Sequence, residues 1–246
     1  MAHERILVTG ARRGIGAALA VGLAAPGRTL LLHHLAAADE AEGVARRCRD
    51  RGAAAGILEA DLTDPDAVRR LAAQAGDVGV LINNAARASS AAIETLPLEE
   101  WQATFAVNVT APMMLAQALG AGMVARGRGR IVNVTSATVR LGGPSGPSYV
   151  SSKAALIGLT RSLARAYGPS GVTVNALSPG AIATDGEREL AEHTGTDVHA
   201  AIIKQQAVPR QLVPDDLVAT VQYLISDGAS AMTGQVLEVG GGLVYR

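Results

Sequence analysis

The stretch GPSYVSSKAALIGL, residues 146–159, places Tyr149 four residues before Lys153 in a chain with only two lysines and four tyrosines. On a helix, residues four apart share a face, so the phenol and the ammonium become neighbours. A free phenol titrates near pH 10 and is a poor acid at neutral pH. An ammonium about 4 Å away, at an effective dielectric near 20, stabilises the phenolate by roughly 4 kcal/mol, or about three pKa units. Such a pair can work as a general acid–base near neutrality; the alternative is a surface Tyr–Lys pair on an ordinary helix. Lys153 is the only charged side chain between Arg140 and Arg161, so its neighbours are small and apolar. Ser136, thirteen residues before Tyr149, ends an apolar run and can donate a hydrogen bond to a carbonyl. Asn108 is polar within the mostly apolar FAVNVTAP, where it is either part of the same site or a satisfied helix-kink residue.

A second cluster, TGARRGIG at residues 9–16, holds Gly10, Gly14 and Gly16. The first glycine allows a tight turn, the second lets the backbone approach a pyrophosphate, and the third lets a helix pack closely on a strand. The N–H groups and the positive end of the following helix would then face phosphate. Three glycines also make an ordinary strand–helix loop; their place at the first strand–helix junction favours a dinucleotide site. The acid that holds a ribose 2′-hydroxyl belongs at the end of the second strand. Here that strand ends in His33 and His34, no acid appears until Asp39, and the turn carries Arg12 and Arg13. Missing acid and added base predict NADP(H) over NAD(H); the alternative is that both arginines are merely solvated.

The elements that must position these groups alternate strictly. Strands are expected at 5–10, 29–34, 55–62, 78–85, 129–136, 172–180 and 234–242, and helices at 14–25, 39–52, 64–76, 98–126, from about 146, and 214–226. The strands are continuous apolar runs, which suits a parallel sheet covered on both faces. The pattern predicts one α/β domain over 1–246, a doubly wound, mainly parallel seven-stranded sheet flanked by helices. The polar segment 181–211 has weak periodicity and is long for a connection, so it reads as a substrate lid. Apolar residues are 48% of the chain and formal net charge is zero, with no run of like charge to mark a nucleic-acid or membrane surface. No apolar run reads as membrane-spanning, no signal peptide is expected, and the predicted location is cytoplasmic. The single Cys48 rules out a disulfide framework or a cysteine-rich metal site, and no metal is expected.

Nearly the whole chain resembles the classical short-chain dehydrogenase/reductase family. TGARRGIG is similar to its TGxxxGIG turn, INNAA (82–86) to its NNAG motif, SPGAIAT (178–184) to its PGxxxT segment, and TGQVLEVGGG to its C-terminal strand. Asn108, Ser136, Tyr149 and Lys153 match its catalytic tetrad. The resemblance implies a hydride passing between nicotinamide and a carbonyl carbon. Tyr149 would move the proton, Lys153 would lower the phenol's pKa and hold the nicotinamide ribose, Ser136 would orient the carbonyl, and Asn108 would hold a proton-relaying water. It implies cofactor contacts at Gly10, Arg12, Arg13, Gly14, Ile15, Gly16, His34, Asp61, Leu62, Asn84, Ala85, Ala86, Tyr149, Lys153, Pro179, Gly180, Ile182 and Thr184, with Asp61 on the adenine. Two positions depart from the family pattern: Ala86 replaces the last glycine of NNAG, and Gly240 replaces the acid of the usual VDGG.

By overall pattern the nearest relatives are 3-oxoacyl-[acyl-carrier-protein] reductases, which makes a 3-oxoacyl thioester one expected substrate. Ser170 stands where those reductases often carry a base for the acidic carrier, while Arg126, Arg128 and Arg130 lie nearby. The alternative is a reductase of small or cyclic ketones, and a remote one is a non-catalytic cofactor sensor. Enoyl reductases are disfavoured because they place their lysine further from the tyrosine. Arg87 and Arg140, in loops at carboxyl ends of strands, are either contacts for an anionic substrate or solvated surface residues. A homotetramer is expected, as is common in the family.

Overall fold

The structure, a computed structural model, describes residues 4–88, 90–184 and 198–245. Its strands are β1 (Glu4–Val8), β2 (Arg28–His34), β3 (Ala54–Glu59), β4 (Val80–Asn83), β5 (Gly129–Val134), β6 (Val172–Pro179) and β7 (Val236–Val239). They form one seven-stranded sheet in the order β3-β2-β1-β4-β5-β6-β7. Every pairing is parallel. The order reverses between β1 and β4, which opens a crevice at the carboxyl ends of those strands.

Helices cover both faces: α1 (Gly14–Leu23), α2 (Ala38–Asp50), α3 (Pro65–Ala75), α4 (Leu98–Phe105), α5 (Ala111–Ala125), α6 (Thr138–Leu141), α7 (Pro147–Tyr167), α8 (Val198–Ile203) and α9 (Val218–Ile225). One core joins Val8, Leu32, Ile82, Val134 and Leu177 to Leu19, Val44 and Val221, under α1, α2 and α9. The other joins Leu7, Leu81, Ile131 and Val174 to Leu71, Leu115 and Ala164, under α3, α5 and α7. Alternate residues of each strand feed opposite cores, so continuous apolar runs were needed. The start of α3 follows its sequence signal: Asp64 caps it by accepting from Asp66 N at 2.8 Å, with Pro65 in the first turn.

The expected helix 98–126 is three pieces, because Ala106–Thr110 form a π-turn between α4 and α5. By length and composition this run, Leu98–Ala125, could cross a membrane, with mean hydropathy 1.3, contrary to the sequence expectation. In the fold its inner face, with Leu115, Leu119 and Met123, is part of the second core. The strand at 234–242 shortens to β7 because Gly241 and Gly242 take positive φ and leave the sheet. Of the expected lid 181–211, residues 185–197 lie outside those described. Its two ends are pinned: Ile182 pairs with Leu212, and Val208 N donates to Gly241 O at 2.8 Å.

Candidate active site

The glycine-rich turn follows β1. Gly10 (φ +65°) and Gly14 (φ +57°) hold conformations that a Cβ disfavours. A Cβ on Gly16 would lie 2.3 Å from Gly10 O, so the third glycine is required by helix–strand contact. No side chain caps α1 and its first turn holds no acid, which leaves its N–H groups and positive end for an anion. Ile15 packs against the first core and Leu62 is buried. Asn84 clamps the turn from β4: its Nδ2 donates to Thr9 O (2.8 Å) and Gly10 O (3.1 Å). Thr9 Oγ1 accepts from the backbone N–H of Asn84 and of Ala85, at 2.9 and 3.0 Å.

His33 was not singled out by the sequence, yet it is the pin of this turn. Its Nδ1 accepts from Gly10 N at 3.0 Å and its Nε2 lies 3.0 Å from Ala60 O. Only the neutral ring with its proton on Nε2 satisfies both. Burial is the main cause holding its pKa below the ordinary 6.5. Its neighbour His34 is also buried, and its Nδ1 accepts from Ala37 N at 3.4 Å. Nothing in a His-His strand end distinguishes the two roles; that required the register of β2 on β1.

Arg12 and Arg13 lie where the motif puts them, lining a cavity of about 350 Å³ with Gly14, Arg47 and Thr184. Arg12 Nη1 is 2.8 Å from both oxygens of Glu40. Asp61 Oδ1 accepts from Thr63 N and Thr63 Oγ1, at 2.8 and 2.7 Å. The Thr63 N–H and hydroxyl hold its carboxyl below the usual range, helped by the Arg87 guanidinium. Ala86 is exposed and has no positive φ, so its methyl strains nothing in the backbone. Gly240 sits against Gly180: a Cβ on Gly180 would be 2.6 Å from Gly240 Cα, and Gly180 N donates to Val239 O at 3.0 Å. Pro179 ends β6, and Ile182 and Thr184 follow it toward the turn, with Thr184 Cγ2 3.5 Å from where a Gly14 Cβ would be.

At the other side of the crevice stand Ser136, Tyr149 and Lys153. Lys153 is 2% exposed; its Nζ lies 5.6 Å from the Tyr149 ring centroid and donates to Val134 O at 2.7 Å. The ammonium therefore sits beneath the ring, tethered to the end of β5, at cation–π distance. Burial pushes its pKa down to about 8. Ser136 Oγ accepts from Thr138 N (3.2 Å) and Thr138 Oγ1 (2.9 Å), which leaves its own proton to donate.

Asn108 occupies the π-turn, a feature that recurs at functional sites. Its Oδ1 accepts from Arg87 N at 2.8 Å, and its Nδ2 donates to Arg87 O (3.0 Å) and Ser152 Oγ (2.9 Å). Ser152 Oγ donates on to Tyr149 O at 2.7 Å. This chain joins the loop after β4, the π-turn and the helix bearing Tyr149. The Asn108 amide is thus fully used in bracing. Ser152 had no signal beyond an ordinary serine in SSK.

The two arginines read either as anion contacts or as surface residues lie at the surface. Arg140 Nε is 3.1 Å from Glu238 Oε1, and Arg87 lies toward Asp61. Arg126, Arg128 and Arg130 pair with Asp77, Glu4 and Asp227, around the start of β5, away from Ser136.

A family model described as enoyl-(acyl carrier protein) reductase matches residues 10–244. The chain belongs to the short-chain dehydrogenase/reductase family. A candidate galactose dehydrogenase of Rhizobium meliloti is 37% identical over 242 residues, 97% of this chain and 94% of that protein. A 3-oxoacyl-[acyl-carrier-protein] reductase of Synechocystis is 33% identical, covering 97% and 96%. The solved structure of a candidate NAD(P)-dependent gluconate 5-dehydrogenase from Beutenbergia cavernae, with NADP bound at low occupancy, superposes with a TM-score of 0.89 at 36% identity over 99% and 97% of the chains. As a family member the protein is an oxidoreductase acting on alcohol and ketone groups.

Proposed function

We propose that this short-chain dehydrogenase/reductase uses NADP(H) to interconvert a secondary alcohol and a ketone, with Tyr149 as the general acid–base. The observation that carries the reading is the buried Lys153 ammonium beneath the Tyr149 ring, beside the strand end that leads to Ser136. The cofactor fits the residues present: an uncapped helix end without acid, two glycines in positive φ, and Arg12 and Arg13 beside them.

Bound NADPH supplies the hydride to the carbonyl carbon. Ser136 donates its remaining proton to the carbonyl oxygen and orients it. Tyr149 transfers its phenolic proton to that oxygen as the C–H bond forms, and in oxidation takes it back. Lys153 gives one N–H to Val134 O and lies beneath the Tyr149 ring, and its remaining N–H groups would hold the nicotinamide ribose when the cofactor is bound. Asn108 acts through Ser152, holding the Tyr149 backbone.

For the substrate, a small polar or cyclic ketone or alcohol is favoured, in line with the galactose dehydrogenase relative, and the pairing of Arg140 with Glu238 competes with an anionic one. A 3-oxoacyl thioester is the second reading, supported by the Synechocystis relative. The spacing of Tyr149 and Lys153 supports alcohol and ketone chemistry over enoyl reduction. The assembly is a homotetramer, which light scattering tests. The reading is tested by a panel of sugars, polyols, cyclic ketones and 3-oxoacyl thioesters with both cofactors, followed at the nicotinamide absorbance. NADPH-dependent turnover of at least one ketone is expected. Tight NADPH binding without turnover of any would instead support a cofactor sensor.

A further inference from the structure

Arg12 is the turn's exposed guanidinium, and it already has a partner. One of its nitrogens, Nη1, is gripped at 2.8 Å by both oxygens of Glu40, with the side chains 32% and 51% exposed. Glu40 lies in the first turn of α2, whose start follows the end of β2 where the adenosine ribose is expected. A second carboxylate closes the same loop: Glu59 Oε1 accepts from Ala36 N at 3.3 Å. The cavity beside the turn is lined by Arg12, Arg13 and Arg47, so the Arg12–Glu40 pair sits at its wall.

We propose that Glu40 sets how strongly this chain discriminates between 2′-phosphate and 2′-hydroxyl dinucleotides, by competing with the phosphate for Arg12. The inference rests on the NADP(H) reading and adds to it a residue that opposes the preference. A 2′-phosphate carries about −1.5 to −2 charge and offers three acceptor oxygens, so it can displace one carboxylate from a guanidinium. A 2′-phosphate that takes Arg12 Nη1 competes with Glu40 for it, and one that takes the other guanidinium nitrogens still sits near the Glu40 carboxylate. A cofactor with a free 2′-hydroxyl meets neither effect. Glu40 thus weakens one cofactor and spares the other.

The test measures calorimetric binding of adenosine 2′,5′-bisphosphate and of 5′-AMP to the full chain, without substrate or turnover. Glu40→Gln is exposed and conservative, and an unchanged melting temperature confirms its fold. The expected result is a three- to tenfold tighter Kd for the bisphosphate and an unchanged Kd for AMP. The gain should shrink with added salt, since exposed charges are screened over about 10 Å at 0.1 M. It should also vanish on an Arg12→Ala background. An unchanged bisphosphate Kd, equal tightening of both probes, or a gain that persists without Arg12 overturns the proposal. The two readings fail separately. Wild-type protein that binds both probes alike contradicts the NADP(H) preference, while a bisphosphate-selective gain in Glu40→Gln would still support the role of Glu40.

Discussion

Protonating His33 would set an N–H against the Gly10 N–H that its Nδ1 now accepts. Burial disfavours the charged ring in the folded state, and its pKa lies below the ordinary 6.5. The unfolded chain then binds more protons in mild acid, so this contribution to stability is present above about pH 6.5 and is lost as pH falls through the lower folded value. Melting temperature against pH should show this acid slope in the wild type and a shallower one in His33→Gln. His33→Ala should cost roughly 1–3 kcal/mol, since it orphans Gly10 N–H and Ala60 C=O. Lys153 gives the opposite limb. Its ammonium is lost as pH rises through about 8, so kcat/KM for ketone reduction should decline above that pH, with an apparent value belonging to the Tyr149–Lys153 pair. Lys153→Met should remove that limb along with most activity. The Tyr–Lys pair was legible because helical spacing alone makes it. His33 was not, because its partners, Gly10 and Ala60, lie just past the ends of the neighbouring strands β1 and β3 and meet it only through sheet register.

At the scale of elements, the site depends on joints between segments. The π-turn at Ala106–Thr110 aims Asn108 at Arg87 and Ser152, and Ser152 passes the contact to Tyr149. Ser152→Ala breaks that chain at its centre. It should cost about 1 kcal/mol of stability, the usual net value of a hydrogen bond, and lower kcat more than it raises KM. Ser152→Thr, which keeps the hydroxyl, should restore much of kcat. Sequence periodicity read one continuous helix here, because an i→i+5 shift moves few residues off the helical pattern. Strands β1 to β6 were legible to within three residues at their ends, since their apolar runs are continuous and, in β4, β5 and β6, wholly buried. The end of β7 was not, because Gly240–Gly242 leave the sheet to pack on Gly180 and residues 206–208. The role of Gly240 follows from that contact and not from the lost acid.

Across the whole molecule, one parallel sheet carries the phosphate turn on β1 and the Tyr–Lys–Ser group beyond β5, with β4 between them. That order was legible in the alternation of apolar strand and amphipathic helix. The substrate was not, because the pairing of Arg140 with Glu238 joins residues 98 positions apart. The central claim, that Tyr149 moves the proton in a ketone–alcohol oxidoreductase, is tested most directly by Tyr149→Phe. With the best ketone from the substrate panel and saturating NADPH, kcat should fall by at least about a hundredfold, the scale of a lost general acid, while the NADPH Kd from calorimetry stays within about twofold. Near-wild-type turnover in Tyr149→Phe would contradict the account.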